Sequence, residues 1–298
     1  MNFLQTFAVF GGTGFLGRRV VRHLARQHKV RVISRHSEQG RDTSREEARI
    51  EPVQADVNDG ASVRSAVTGA IGVVNAVSLY VEHGGQTFRS VHGDAAARVA
   101  RISRECGVSR LVHVSGVGAD SRSRSPYIRS RGEGEKAVRA AFPAATIVRP
   151  CVMFGPDDAF LTPLVGLLRK SPVLPLFGRG RTLLQPSHVD DVAEAIARIL
   201  DTPKPAAIYE FGGPDILSYE DLLRTIATHI GVKRVFLPMP FAAWHALAFF
   251  SEMLPQPLIT RNQVELMKID NIASSQFPGF RDFGIEPQDI GHVAAAIG

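Results

Sequence analysis

The chain has 298 residues, of which 44% are hydrophobic and 21% charged, with two cysteines and a net charge of +6. This composition excludes disordered, collagen-like, coiled-coil and disulfide-scaffold proteins, and the length suits one large domain with a satellite lobe, or two domains. The basic balance invites an anionic partner, although six of the 35 Lys+Arg residues are Lys, and scattered solvated arginines account for much of the excess.

Two cysteines, Cys106 and Cys151, predict a reducing compartment. The first apolar run, Phe7 to Phe10, has no basic region before it and no small-residue cleavage site after it, so no targeting segment is expected. No stretch approaches the ~20 apolar residues of a membrane span. A cytoplasmic location follows.

The elements alternate. Thr6–Phe10 predicts a strand, Gly14–Gln27 a helix with Phe15, Leu16, Val20, Val21 and Leu24 on one side, and Val30–Ser34 a second strand. A polar loop leads to a third strand at Ile50–Ala55, a helix at Ser62–Val67 and a buried fourth strand at Ile71–Val77. Val91–Cys106 predicts a long helix turning Ala95, Val99 and Ile102 inward. Leu111–Ser115, Tyr127–Ala141 and Thr146–Val148 read as strand, helix and strand. Such alternation implies a parallel sheet covered on both faces through right-handed crossovers, an α/β fold with a Rossmann-type doubly wound sheet. After Pro150, prolines punctuate short segments. Val189–Leu200, a Ser218-capped helix to Ile230, Phe241–Met253 and a Thr260-capped helix through Lys268 stand out, with a strand at Ala207–Phe211. The expected division is a Rossmann core over 1–150, which also receives about 185–202, and a smaller C-terminal α+β lobe over 151–298.

Gly11-Gly12-Thr13-Gly14-Phe15-Leu16-Gly17 satisfies Gly-x-Gly-x-x-Gly and lies between the first strand and the first helix. Glycines there let the backbone approach a pyrophosphate, with free N–H groups and the helix dipole facing the anion. No Gly-Lys-Ser/Thr follows, which excludes a P-loop of the ATPase type. The second strand ends without the acid that receives an NAD ribose; it carries Ser34 and Arg35. Arg35, with Ser34 and Arg18, suits a 2′-phosphate, so NADP(H) is favoured over NAD(H). A solvated surface Arg is the alternative for Arg35. Asp56 and Val57 suit the adenine amino group and ring, or else simply open a helix. Ala76, Val77 and Ser78 end the fourth strand under the ribose.

These residues, with Ser115, Tyr127, the Arg149-Pro150-Cys151-Val152 run and His188-Val189-Asp190-Asp191, resemble the extended or atypical short-chain dehydrogenase/reductase superfamily. A narrower likeness is to the family of the NADPH-binding accessory subunit of respiratory complex I (alpha-subcomplex subunit nine) and its bacterial relatives. His113-Val-Ser115-Gly-Val-Gly118-Ala119 and Ser125-Pro-Tyr127-Ile-Arg-Ser130-Arg131 carry that likeness, which spans nearly the whole chain. The resemblance implies cofactor contacts at Pro150 and Val152, and a catalytic set of Ser115, Tyr127 and the residue four positions after Tyr127. Active members place Lys there; this chain has Arg131. Arg keeps the charge and bonds the ribose but passes no proton at neutral pH. Ser115 also stands only twelve residues before Tyr127. The resemblance therefore implies a protein that holds its dinucleotide with little turnover, in respiratory-chain or ubiquinone metabolism. An active NADP(H)-dependent oxidoreductase or epimerase is the alternative, and an NADPH redox-sensing module a third.

His188, Asp190 and Asp191 suit a helix start rather than a metal, and the ten histidines show no ligand spacing. Phe241 to Phe250, with the single Trp244, reads as a core helix or as one lying on a membrane surface or protein partner. The resemblance adds complex I, quinone-biosynthesis proteins and the inner face of the cytoplasmic membrane as partners. The Ser121–Arg131 tract has one aromatic, too few for nucleic-acid stacking, so no nucleic acid is expected.

Overall fold

The computed structural model describes residues 4–35, 47–254 and 257–291. The polar stretch between the second and third strands lies largely outside them. The chain divides into two compact units. The first holds Met1–Arg149, Val189–Glu210 and Gln276–Ile285; the second holds Pro150–His188, Phe211–Ser275 and Glu286–Gly298.

The first unit begins β1 (Thr6–Phe10), α1 (Gly17–Ala25), β2 (Lys29–Ser34), β3 (Ile50–Gln54), α2 (Gly60–Val67) and β4 (Gly72–Asn75). A π-helical stretch, Arg89–Ala95, then runs into α3 (Ala96–Glu105), followed by β5 (Arg110–Val114), α4 (Pro126–Ala141) and β6 (Thr146–Pro150). The chain continues through β7 (Met153–Phe154), α5 (Leu161–Lys170), β8 (Val173–Phe177), β9 (Leu183–Leu184) and β10 (Ser187–His188). It returns to the first unit as α6 (Val189–Asp201) and β11 (Ile208–Phe211). The remainder is β12 (Leu217–Ser218), α7 (Tyr219–His229), β13 (Val235–Met239), α8 (Phe241–Ser251) and α9 (Arg261–Leu266).

The main sheet has seven strands in the order β11-β6-β5-β4-β1-β2-β3, and every pairing from β3 to β6 is parallel. Because β1 and β4 are buried along nearly their whole length, they read as unbroken apolar runs rather than alternating ones. The chain reverses its winding between β1 and β4, and sheets of this kind receive ligands outside the carboxyl ends of the strands at that point. One face is packed by α2, α3 and α4 through Val63, Val67, Val99, Ile102 and Val138. On this fold the Rossmann-type expectation is met.

Local sequence explains the helix starts. Ser125 Oγ accepts from the Ile128 N–H, and Pro126 fills the first turn, where no donor is missed. Ser218 caps α7, and Thr260 with Gln263 forms a capping box on α9. In the second unit, the sequence reading missed α5 and the parallel pair β8–β13. Prolines hid them. Pro163 sits in the first turn of α5, where a missing N–H costs nothing. Pro175 and Pro238 lie in a two-stranded ribbon whose strands both have an open edge.

Among the described residues no helix is long and apolar enough to cross a membrane. The core-helix reading of the Phe241 region holds for one stripe only. Trp244, Ala248 and Ser251 are buried, and the Trp244 indole donates to the Leu176 carbonyl at 2.9 Å. Leu247, Phe249 and Phe250 are exposed, as are Met253, Leu254 and Leu258 beyond the helix.

Candidate dinucleotide site

The turn between β1 and α1 is shaped by contacts that exclude side chains. Gly11 has φ +71°, and a Cβ on Gly17 would lie 2.0 Å from the Gly11 carbonyl oxygen, so any larger residue would force the turn off the helix. Gly11 and Gly12 donate to the Ile33 carbonyl, and Gly14 to Gly11. No described backbone carbonyl accepts from Thr13, Phe15, Leu16 or Gly17. Four N–H donors therefore cluster at a helix N-terminus, with Thr13 and Gly14 on the exposed rim. That cradle suits a pyrophosphate on chemical grounds. Arg18 is half-buried on the first turn of α1, and the adjacent Arg19 bonds inward to the Phe15 carbonyl at 2.7 Å.

At the carboxyl ends of β2 and β3 a cavity of about 440 Å³ is lined by Arg35, Gln54, Ala55, Asp56 and Ser62. Arg35 is exposed there, with no described partner for its guanidinium, while Gln54 Nε2 donates to its carbonyl at 3.0 Å. Asp56 Oδ1 accepts from the Asn58 backbone at 2.8 Å, which fixes the carboxylate at the cavity. Val57 is buried behind it and Ser34 is half-buried at the end of β2. Ala76 and Val77 follow β4 and border the phosphate turn: a Cβ on Gly11 would lie 3.1 Å from the Ala76 carbonyl carbon and 3.2 Å from the Val77 nitrogen.

Beyond β4 lies the cluster around Tyr127. The Arg131 guanidinium carbon sits 4.8 Å from the centre of the Tyr127 ring, and Nη2 donates to Ser78 Oγ at 2.8 Å. A Cβ on Gly116 would be 3.5 Å from Arg131 Nη1, so the end of β5, with Ser115, borders the same guanidinium. Ser115 and Arg131 are buried, and neither Ser115 Oγ nor Arg131 Nε has a hydrogen-bond partner among the described residues. Burial pushes the Tyr127 phenol well above its ordinary value, against the pull of Arg131. Burial works against the Arg131 charge, but Tyr127, Tyr80 and Glu135 outweigh it and the net shift is upward. The result is a neutral phenol beside a fixed cation. Such a pair can donate a hydrogen bond and hold ribose hydroxyls, and a permanently charged guanidinium relays no proton.

The first unit thus assembles the phosphate-turn residues, Arg35 with Asp56, and Ser115 with Tyr127 and Arg131. Pro150 closes β6, and Val152 lies in the second unit, where its N–H donates to Asn271 Oδ1 at 2.6 Å. Three residues of the Tyr127 cluster were missed by sequence reasoning: Tyr80, Phe88 and His92. Tyr80 stacks on Tyr127 with ring centres 5.9 Å apart. Phe88 and His92 meet its edge at 5.4 and 5.6 Å. For His92 a signal existed, because the inward stripe of Ala95, Val99 and Ile102 extends back one turn onto it. Tyr80 sits on a loop, where no periodicity points to it.

The family model for "NAD dependent epimerase/dehydratase family" matches residues 7–212. NADH dehydrogenase (ubiquinone) 1 alpha subcomplex subunit 9 of Rattus norvegicus is 33% identical over 294 residues, covering 94% of this chain and 76% of that protein. Ceramide reductase of Caulobacter vibrioides is 31% identical over 239 residues, covering 78% and 73%. Among solved structures, the NADPH-dependent quinone oxidoreductase QOR2 of Escherichia coli, complexed with NADPH, superposes with a TM-score of 0.79 at 20% identity, covering 98% and 99%, which speaks for the fold alone. With a match over more than half its length and the turn, sheet order and Tyr127 cluster described above, the chain belongs to the NAD dependent epimerase/dehydratase family.

Proposed function

We propose that the protein is an NADP(H)-binding relative of the complex I accessory subunit, structural or regulatory in respiratory-chain or ubiquinone metabolism, with little turnover. The observation that carries this reading is Arg131: a buried, charged guanidinium stands beside Tyr127 where a proton-relaying lysine is needed. The turn from Gly11 to Gly17 holds the pyrophosphate. Arg35, with Ser34 and Arg18, takes the 2′-phosphate, and Asp56 with Val57 takes the adenine. Ala76 and Val77 lie under the ribose, which Tyr127 and Arg131 hold. Pro150 and Val152 belong to the nicotinamide end, and the division at about residue 150 separates cofactor core from lid lobe. A bound nicotinamide supplies hydride chemistry, and Ser115 with Tyr127 orients an acceptor oxygen if one enters. The exposed apolar surface around α8 supports peripheral attachment to the inner membrane face or to a respiratory complex.

The test is a binding titration followed by a turnover assay. The protein is expected to bind NADPH and to oxidise it negligibly with quinones or small carbonyls, and robust wild-type turnover defeats the accessory reading. Arg131→Lys is expected to raise that oxidation. Arg35→Ala is expected to weaken NADPH binding about 10- to 100-fold, the worth of a charge-assisted contact, with NADH hardly affected. Equal losses for both cofactors defeat the 2′-phosphate assignment. The active-reductase reading is supported by the similarity to ceramide reductase.

A further inference from the structure

The Tyr127 ring is enclosed by four groups of the first unit. Phe88 and His92 close its edge, the Arg131 guanidinium lies against it, and Tyr80 stacks on it with 24° between the planes. Phe88, His92 and Arg131 are buried, whereas Tyr80 is 59% exposed, near the head of the loop that joins β4 to the π-helical stretch. Three hydrogen-bonding contacts pin the head of that loop, one of them between Ser78 Oγ and His92 Nε2 at 3.5 Å. The Leu79 N–H donates to His92 Nε2 at 3.1 Å, and Arg131 Nη2 donates to Ser78 Oγ. His92 is itself held from behind, with Nδ1 3.0 Å from Ser130 Oγ. Helical widening of the π type recurs at functional sites, and here it presents His92 to the loop. None of these contacts loosens by titration near neutrality: His92 is already neutral and Arg131 stays charged. Under the Tyr80 ring lies the Tyr127 phenol, against the Arg131 guanidinium, and both Arg131 Nε and the Ser115 Oγ at the end of β5 are buried atoms that no described residue satisfies.

We propose that Tyr80 controls access to this site: its ring covers Tyr127, and an acceptor reaches the Tyr127 hydroxyl only by displacing it. The Arg131–Ser78 bond gives the arginine a second task, as the latch that holds the covering segment in place. This rests on reading Tyr127 as the reactive end of the dinucleotide site. It adds a steric reason for low turnover to the chemical one.

Hydroxyl-radical labelling with peptide mapping tests the proposal, because it reads solvent exposure and not ionisation. In the wild-type protein Tyr80 is expected to label and Tyr127 to be protected. In Tyr80→Ala the labelling of Tyr127 is expected to rise several-fold, and Tyr80→Phe, which keeps the ring, is expected to retain protection. Tyr127 labelling as readily as Tyr80 in the wild type overturns the proposal. So does continued protection in a Tyr80→Ala protein with wild-type circular dichroism and melting. Should Tyr80→Ala not fold, Ser78→Ala removes the two contacts made by the Ser78 hydroxyl and leaves the ring. Increased Tyr127 labelling is expected there, and its absence is equally fatal. Failure of NADPH to bind would defeat the dinucleotide reading without altering the labelling pattern, so the two failures are distinguishable.

Discussion

His92 and His113 are the two residues whose ionisation the fold changes most plainly. The Leu79 N–H points at His92 Nε2, so that nitrogen must accept; Nδ1 carries the proton and donates to Ser130 Oγ, which donates in turn to the Tyr127 carbonyl at 2.8 Å. Asn75 Oδ1 accepts from the Val77 N–H, which turns Nδ2 toward His113 Nδ1 at 3.4 Å. A second proton on either ring would meet a donor. Burial first, and then the Arg131 charge, lowers both pKa values from 6.5 to about 3. The sign of the consequence follows directly. Between pH 6.5 and 3 the unfolded chain binds protons that the folded chain refuses, so stability rises with pH across that window and levels off above it. Urea midpoints measured from pH 7 down to pH 4 are expected to fall steadily. His92→Gln is expected to reduce that slope by about half, since one of two such groups is removed. An unchanged slope would mean that His92 titrates normally. At this scale the family resemblance singled out Tyr127 and Ser115, and the glycine spacing singled out Gly17, whose place the Gly11 carbonyl leaves no room to fill. Tyr80 was not, because a stacking partner on a loop is defined only by where the loop returns.

The element that organises the site is α4. It carries Tyr127, Ser130 and Arg131, and one turn beyond Arg131 it carries Glu135, which meets Arg149 of the sheet. Arg149 of β6 makes two bonds to Glu135, 2.8 Å from Nε to Oε1 and 2.6 Å from Nη2 to Oε2, and a third to Glu210 of β11 at 3.1 Å. All three side chains are largely buried. The sequence reading named Arg149 only within the run that carries the family resemblance; its contacts tie α4, β6 and β11 together. Removing one member of a buried ion group strands the others. Arg149→Ala is therefore expected to destabilise the protein by about 3–5 kcal/mol, the usual cost of leaving a buried charge uncompensated. Chemical denaturation checks this, and a loss near zero would show that solvent reaches the two carboxylates. Helix α4 itself was legible to within a residue, because Ser125 and Pro126 are local start signals. The widened turns of Arg89–Ala95 before α3 were not, since which carbonyl each N–H reaches does not show in the spacing of apolar residues.

On the scale of the whole molecule, the second unit shows more apolar surface than a free monomer needs. Phe250 is 65% exposed and Leu258 89% exposed, with Leu247, Phe249, Met253 and Leu254 around them. The neighbouring cations are already engaged: Arg261 bonds Glu252 at 2.7 Å and Lys268 bonds Glu265 at 2.7 Å. Binding there is therefore expected to be driven by apolar contact more than by charge. Phe250→Asp is expected to leave melting and NADPH binding unchanged, because an exposed side chain changes stability by only about 0.5 kcal/mol. The same change is expected to release the protein from native membranes in a sedimentation assay. Equal retention of both proteins would remove this surface from the docking account.

By itself the sequence determined the alternating elements of the first unit and the glycine turn between β1 and α1. All of these are fixed by local pattern: apolar periodicity, glycine spacing and capping residues act over a few neighbouring positions. Only the tertiary structure decided the partners. It set Arg131 between Ser78 and Tyr127, put Tyr80 over the phenol, drew Arg149 into an ion group, and left half of α8 uncovered. Those outcomes depend on distances between segments far apart in the chain, and on burial, which no local pattern encodes.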